Sequence, residues 1–143
     1  MCIRDRFWTS WSIIGPSHRV FFSGDTGLEE AFREIGKRAG PFDVALLEIG
    51  QHHPSWGDIH LGPVGALEAF ERLGAKRLFP IHWGTFQLAM HAWSEPAETL
   101  TTEAATRNVP LLTPRIGEPI EPATDPASVP WWRALPPIAS ACP

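Results

Sequence analysis

The chain has 143 residues, the size of one domain, and its 43% hydrophobic and 20% charged residues exclude a wholly disordered polymer. Twelve basic against 16 acidic residues leave a net charge of −4, which gives no basis for electrostatic recognition of nucleic acid or a polybasic membrane patch. The two cysteines, Cys2 and Cys142, lie at opposite ends and make neither a disulfide framework nor a Cys-rich zinc site, as in a reducing compartment. No apolar run approaches the roughly 20 residues of a membrane span. Phe7–Ile14 is broken by Thr9, Ser10 and Ser12 and is a poor signal-peptide core. These features lead us to expect a soluble, cytoplasmic protein.

Val20-Phe21-Phe22 is a short β run that stops at Gly24. From Gly27, the positions Leu28, Ala31, Phe32 and Ile35 form a helical stripe, with Glu29, Glu30, Arg33 and Lys37 on the other side. Gly40-Pro41 ends it. Val44–Ile49 is apolar except for Glu48, the pattern of a strand covered on both faces. Pro63 stands where a first helical turn begins, Val64, Leu67, Phe70 and Leu73 follow at helical spacing, and Gly74 suits the C-cap. Arg77–Ile81 reads as a strand. Ser94-Glu95-Pro96 opens a third helix through Leu100 and Ala104, ended near Asn108, and Val109–Leu112 reads as a short closing strand. Eight of the 15 prolines lie at or beyond Pro114, so residues 1–118 are expected to form the domain and 119–143 an extended or disordered tail, whose Trp131 and Trp132 either dock it on an apolar surface or are an incidental exposed pair.

Repeated strand–helix–strand units imply an α/β layer with largely parallel neighbours, whose working groups gather at the carboxyl ends of the strands. Those ends carry Gly24-Asp25-Thr26-Gly27, Gly50-Gln51-His52-His53 and His82-Trp83-Gly84. Asp25, between glycines, can project from the edge as a metal ligand, or cap the helix that begins near Leu28. His82 is either a metal ligand held at a rigid strand end or a buried histidine packed beside Trp83. His60, ahead of the Pro63 helix, can ligate, donate a proton, bind an anionic substrate, or be a plain loop histidine. The neighbours His52 and His53 point to opposite sides in extended chain. His18 reads as solvent-facing and His91 as structural. No dinucleotide fingerprint, P-loop or nucleophile elbow is present, so Asp and His at strand ends point to a hard or borderline metal.

Phe22-Ser23-Gly24-Asp25-Thr26-Gly27, Gly40-Pro41-Phe42-Asp43 and Ile81-His82-Trp83-Gly84-Thr85-Phe86 together resemble the N-acyl-phosphatidylethanolamine-hydrolysing phospholipase D branch of the metallo-β-lactamase superfamily, which includes ascorbate-6-phosphate-lactonase-like hydrolases. The resemblance covers roughly residues 5–118. It implies the C-terminal half of an αββα sandwich: one mixed sheet with helices on one face, followed by the Pro-rich tail. It also implies a binuclear zinc hydrolase in which a hydroxide between two zincs attacks a phosphodiester, with Asp25 bridging the metals, His82 completing one zinc and His60 near the substrate. The family's His-x-His-x-Asp-His motif does not occur in these 143 residues. The expectation is therefore a fragment inactive alone, binding zinc weakly, whose uncovered sheet face drives self-association or pairing with a missing N-terminal half. The alternatives are a lactonase-like metal hydrolase and a non-catalytic half-domain or interaction module. The substrate implied is a small molecule or phospholipid.

Overall fold

The computed structural model describes residues 9–86, 88–124 and 129–135. Strands β1 (Trp11–Ile14), β2 (Arg19–Phe22), β3 (Val44–Glu48) and β4 (Leu78–Ile81) form one sheet in the order β1-β2-β3-β4. β1 runs antiparallel to β2, whereas β2, β3 and β4 are parallel neighbours. Helices α1 (Ala31–Ala39), α2 (Gly62–Leu73) and α3 (Glu95–Arg107) make the connections. The result is the mixed α/β sheet with helices on one face expected of a partial metallo-β-lactamase domain.

Register and alternation assign the two faces. Phe21, Ala45, Leu47 and Leu78 share one side, are fully buried, and join Phe32, Leu67, Phe70 and Leu100 of the helices in a single core. Each of these leucine and phenylalanine side chains contributes roughly 1.5–3 kcal/mol by leaving water. Trp11, Ile13, Val20, Phe22, Leu46, Phe79 and Ile81 share the other side, away from the helices. There Trp11 is 61% and Ile13 57% exposed. The uninterrupted apolar sequence of the strands thus meets protein on one face and is partly open on the other.

The helix boundaries have local causes. Pro63 opens α2, and Gly74 ends it in the left-handed conformation at φ 64°. Asn108 takes the same conformation after α3. Gly36 lets α1 cross α2 closely, since a Cβ there would stand 2.7 Å from the Arg72 carbonyl oxygen. None of the described helices is long and apolar enough to cross a membrane.

Three local readings change. The first helix begins at Ala31, not near Leu28, because the preceding loop is pinned: a Cβ on Gly27 would meet the Asp58 carbonyl oxygen at 1.9 Å. Val109–Leu112 gives only a bridge, Leu111 to Leu78, since Pro110 supplies no N–H to extend a ladder. β1, unmarked in the sequence reading, forms by folding back on β2 through the Gly15–His18 turn, closed by Gly15 N donating to the His18 carbonyl at 2.9 Å.

Part of the proline-rich tail is docked. Trp131–Ala134 forms a 3₁₀ turn, Trp132 is buried, and its Nε1 donates to Glu98 Oε1 at 2.8 Å. Arg133 adds a forked pair to the same carboxylate, and Trp131 and Trp132 pack on Trp83 with ring centroids 6.0 and 5.1 Å away. The rest of the expected tail, at 125–128 and 136–143, lies outside the described residues.

Candidate metal centre

Because β2, β3 and β4 are parallel, the loops that follow them open on one edge of the sheet. Glu48 ends the middle strand on the face turned away from the helices, yet it is fully buried because two loops fold over it. Its Oε1 accepts from Thr26 N at 2.9 Å and Leu61 N at 3.1 Å, and its Oε2 lies 2.7 Å from His60 Nδ1. Its own amide donates to Ser23 Oγ at 3.2 Å. One carboxyl group therefore ties the Asp25 loop to the loop that enters α2. Burial makes such bonds strong and their loss expensive.

His60 inherits its electrostatics from this contact. The hydrogen bond it makes to the Glu48 carboxylate holds its pKa above the ordinary histidine value; burial opposes that, and the charges of Glu48 and Asp25 add to it. With Nδ1 of His60 committed to Glu48, Nε2 is the ring nitrogen left for any other partner.

His82 follows β4 at φ 63°, an uncommon conformation for a residue with a side chain. Its Nε2 lies 3.7 Å from Asp25 Oδ1, and its Nδ1 lies 3.3 Å from Glu48 Oε2. The second contact is within ion-pair range but too far off line for a hydrogen bond, so the buried Nδ1 is left without one. The His60 and His82 rings stand 5.1 Å apart. The approach of β3 to His82 needs a glycine at position 50, where a Cβ would come within 2.2 Å of the His82 carbonyl oxygen.

Asp25 and His82 are thus neighbours at the strand ends, with His60 behind them. Asp25 does not cap the first helix; Glu30 occupies that position. His52 faces His91 and His53 faces Trp56, at ring separations of 5.0 and 5.9 Å, on opposite sides as alternation requires. His18 pairs with Glu121 at 3.3 Å, so it is not simply solvent-facing. Glu48 was not among the candidate site residues. Its signal was a single charge at the carboxyl end of an otherwise apolar strand.

The donors suit a divalent metal. Glu48, His60 and His82 each offer an atom within 4.8 Å of the others, the one such group of three among the described residues. The 3.7 Å between Asp25 Oδ1 and His82 Nε2 matches two ligands of one ion, which stand about 3–4 Å apart when each is about 2 Å from the metal. A carboxylate usually orients a ligating imidazole by accepting from its second nitrogen; Glu48 Oε2 lies 3.3 Å from His82 Nδ1 but off line for that bond. Beside His82 a cleft of about 340 Å³ is lined by Phe79, Ile81, Trp83, Ile116 and Trp131, among others.

Residues 3–83 match the family model described as a beta-lactamase superfamily domain. An uncharacterized protein of Mycobacterium tuberculosis is 43% identical over 129 residues, spanning 88% of this chain and 35% of that protein. N-acyl-phosphatidylethanolamine-hydrolyzing phospholipase D 1 of Caenorhabditis elegans is 36% identical over 99 residues, 66% of this chain and 28% of that protein. Igni18, a metallo hydrolase from Ignicoccus hospitalis, superimposes with a TM-score of 0.56 at 26% identity, covering 75% of this chain and 42% of that one. The chain spans about a third of the length of these curated relatives.

Proposed function

The chain belongs to the metallo-β-lactamase superfamily of hydrolases, and from that premise we propose that it supplies one side of a zinc-dependent site that hydrolyses phosphodiesters of the N-acyl-phosphatidylethanolamine type. The observation that carries this reading is the Asp25–His82 pair at 3.7 Å, backed by Glu48. Asp25, its side chain 66% exposed at the sheet edge, would hold metal through its carboxylate. His82 would ligate through Nε2, with the Glu48 carboxylate 3.3 Å from its other nitrogen. Zinc bound there supplies Lewis acidity and lowers the pKa of water. His60, its pKa raised by the Glu48 hydrogen bond, binds the anionic phosphate and delivers a proton to the departing oxygen when protonated. The cleft beside His82, where Phe79, Ile81, Trp83, Ile116 and Trp131 offer apolar surface alongside Arg115 and Glu118, accommodates a hydrocarbon portion of the substrate.

Zinc is the proposed metal because imidazole and carboxylate donors together suit a borderline ion. Two ligands leave most of a zinc coordination sphere to water, so the chain by itself binds the ion weakly and is inactive. A specific observation supports the half-domain reading: Trp11, Ile13 and Phe22 lie exposed on the face opposite the helices. A second layer bearing the His-x-His-x-Asp-His ligands covers that face in the assembled enzyme, and without it this chain self-associates. The widely separated cysteines fit a cytoplasmic site of action.

The test is hydrolysis of N-acyl-phosphatidylethanolamine and of a sugar lactone by the zinc-supplemented chain, alone and mixed with the preceding segment of the mycobacterial relative. Phosphodiester cleavage only in the mixture, lost in Asp25→Ala, supports the proposal. Lactone turnover alone selects the lactonase reading. No reaction and no zinc uptake would leave an interaction module.

A further inference from the structure

His52 and His91 lie outside the site described above, and each has a ring nitrogen that nothing among the described residues satisfies. His52 Nδ1 and His91 Nε2 are both out of contact with solvent and both lack a hydrogen-bond partner. A buried, unpaired polar atom is unfavourable by about 1–3 kcal/mol, so two facing histidines of this kind call for an occupant. Which nitrogen of His91 is bare follows from its other contact: Nδ1 lies 3.0 Å from the Ala92 carbonyl and must donate to it, leaving the lone pair on Nε2. Ligating histidines are usually fixed in this way, by a backbone carbonyl on the second nitrogen.

The spacing of the rings agrees. With about 2.0 Å from metal to nitrogen and about 1.1 Å from nitrogen to ring centre, two imidazoles at a tetrahedral angle have centroids about 5 Å apart. The His52 and His91 centroids are 5.0 Å apart. Both rings are held from behind. Gly62, at φ 60°, lets α2 begin against His52, whose ring carbons would be 3.0 Å from a Cβ there. Gln51 grips the loop that leads to His91, donating to the Phe86 carbonyl at 2.6 Å and accepting from Leu88 N at 3.1 Å. Glu95, accepting from Ala92 N at 3.4 Å, brings negative charge to the same corner.

We propose that His52 Nδ1 and His91 Nε2 form a second site, distinct from the Asp25–His82 centre, for a divalent transition-metal ion of the zinc or copper class. His52 is prepared for this role, since burial and then the neighbouring His91 push its pKa down and keep the ring neutral. The site does not depend on the hydrolase reading.

The experiment is titration of the whole chain with Cu(II), observed through histidine ring resonances and by equilibrium dialysis. The expected result is joint broadening of His52 and His91 at substoichiometric copper, persisting in His82→Ala. His91→Gln and His52→Gln should each weaken that class of binding about tenfold or more, with unchanged circular dichroism. Broadening at His60 and His82 alone, or unchanged copper binding in both glutamine variants, overturns the proposal. Because the resonances are read in the unaltered protein, a variant that fails to fold does not remove the test.

Discussion

Glu48 Oε2 stands 2.7 Å from His60 Nδ1, with the carboxyl group fully buried and the imidazole largely so. The pair joins the end of the central strand to the entrance of α2, and Thr26 and Leu61 hang their amides on the other oxygen. Glu48→Ala would strand both amides and the imidazole. It is expected to destabilise the chain by about 3 kcal/mol or more, and Glu48→Gln by roughly half of that. Urea denaturation measures both; a loss near zero for alanine would mean that Glu48 is not the acceptor holding these loops.

The same pair makes stability depend on pH. His60 has its folded pKa raised above the ordinary 6.5, chiefly by the Glu48 hydrogen bond. Its contribution is fully present below the unfolded value and is lost as pH rises through the folded one. Metal-free protein should therefore unfold more easily at pH 9 than at pH 6, and Glu48→Gln should flatten that difference. Equal slopes in the two proteins would exclude His60 as the source.

At the edge of the sheet, stability and metal binding should separate. Asp25 is mostly exposed, so Asp25→Ala should alter folding by no more than about 0.5 kcal/mol. Zinc affinity, read by competition with a chromophoric chelator, should fall in Asp25→Ala and in His82→Ala alike. Retention of zinc in both would move the ion to other donors.

Gly50→Ala tests the backbone that carries His82. The new Cβ would sit 2.2 Å from the His82 carbonyl oxygen and 3.2 Å from Trp83 Cβ. Neither neighbour is a flexible side-chain end, so the strand ends must part. A loss of about 1–3 kcal/mol is expected, together with weaker zinc binding. An alanine protein of normal stability would show that β3 and β4 are not this close.

The docked tail should release in acid. Glu98 has its pKa lowered, first by the Arg133 hydrogen bond and further by Trp132, so its contribution is present above the ordinary value of 4.5 and lost as pH falls through the folded one. Tryptophan fluorescence should shift to the red over that acid range, and Glu98→Gln should show the shift already at neutral pH. A spectrum unaffected by the substitution would mean that packing on Trp83 holds the turn unaided.

The alternation of apolar and glycine-bounded segments was enough to find β2–β4 and all three helices, and placing parallel strands side by side put Asp25 and His82 on one edge. The caps Gly74 and Asn108 were legible because left-handed backbone selects those residue types. Elements that depend on a distant partner were not legible in this way. β1 exists because β2 accepts it as a neighbour, and Val109–Leu112 stops at a single bridge because Pro110 has no N–H to extend the ladder beyond Leu78. Glu48 is the sharpest case. In the sequence it is one charge interrupting a hydrophobic run, and only the fold brings Thr26, His60, Leu61 and His82 around it. Periodicity and turn chemistry act over a few residues and can be read along the chain, whereas the satisfaction of a buried carboxyl group depends on loops 12 to 34 positions away, which sequence spacing alone does not bring together.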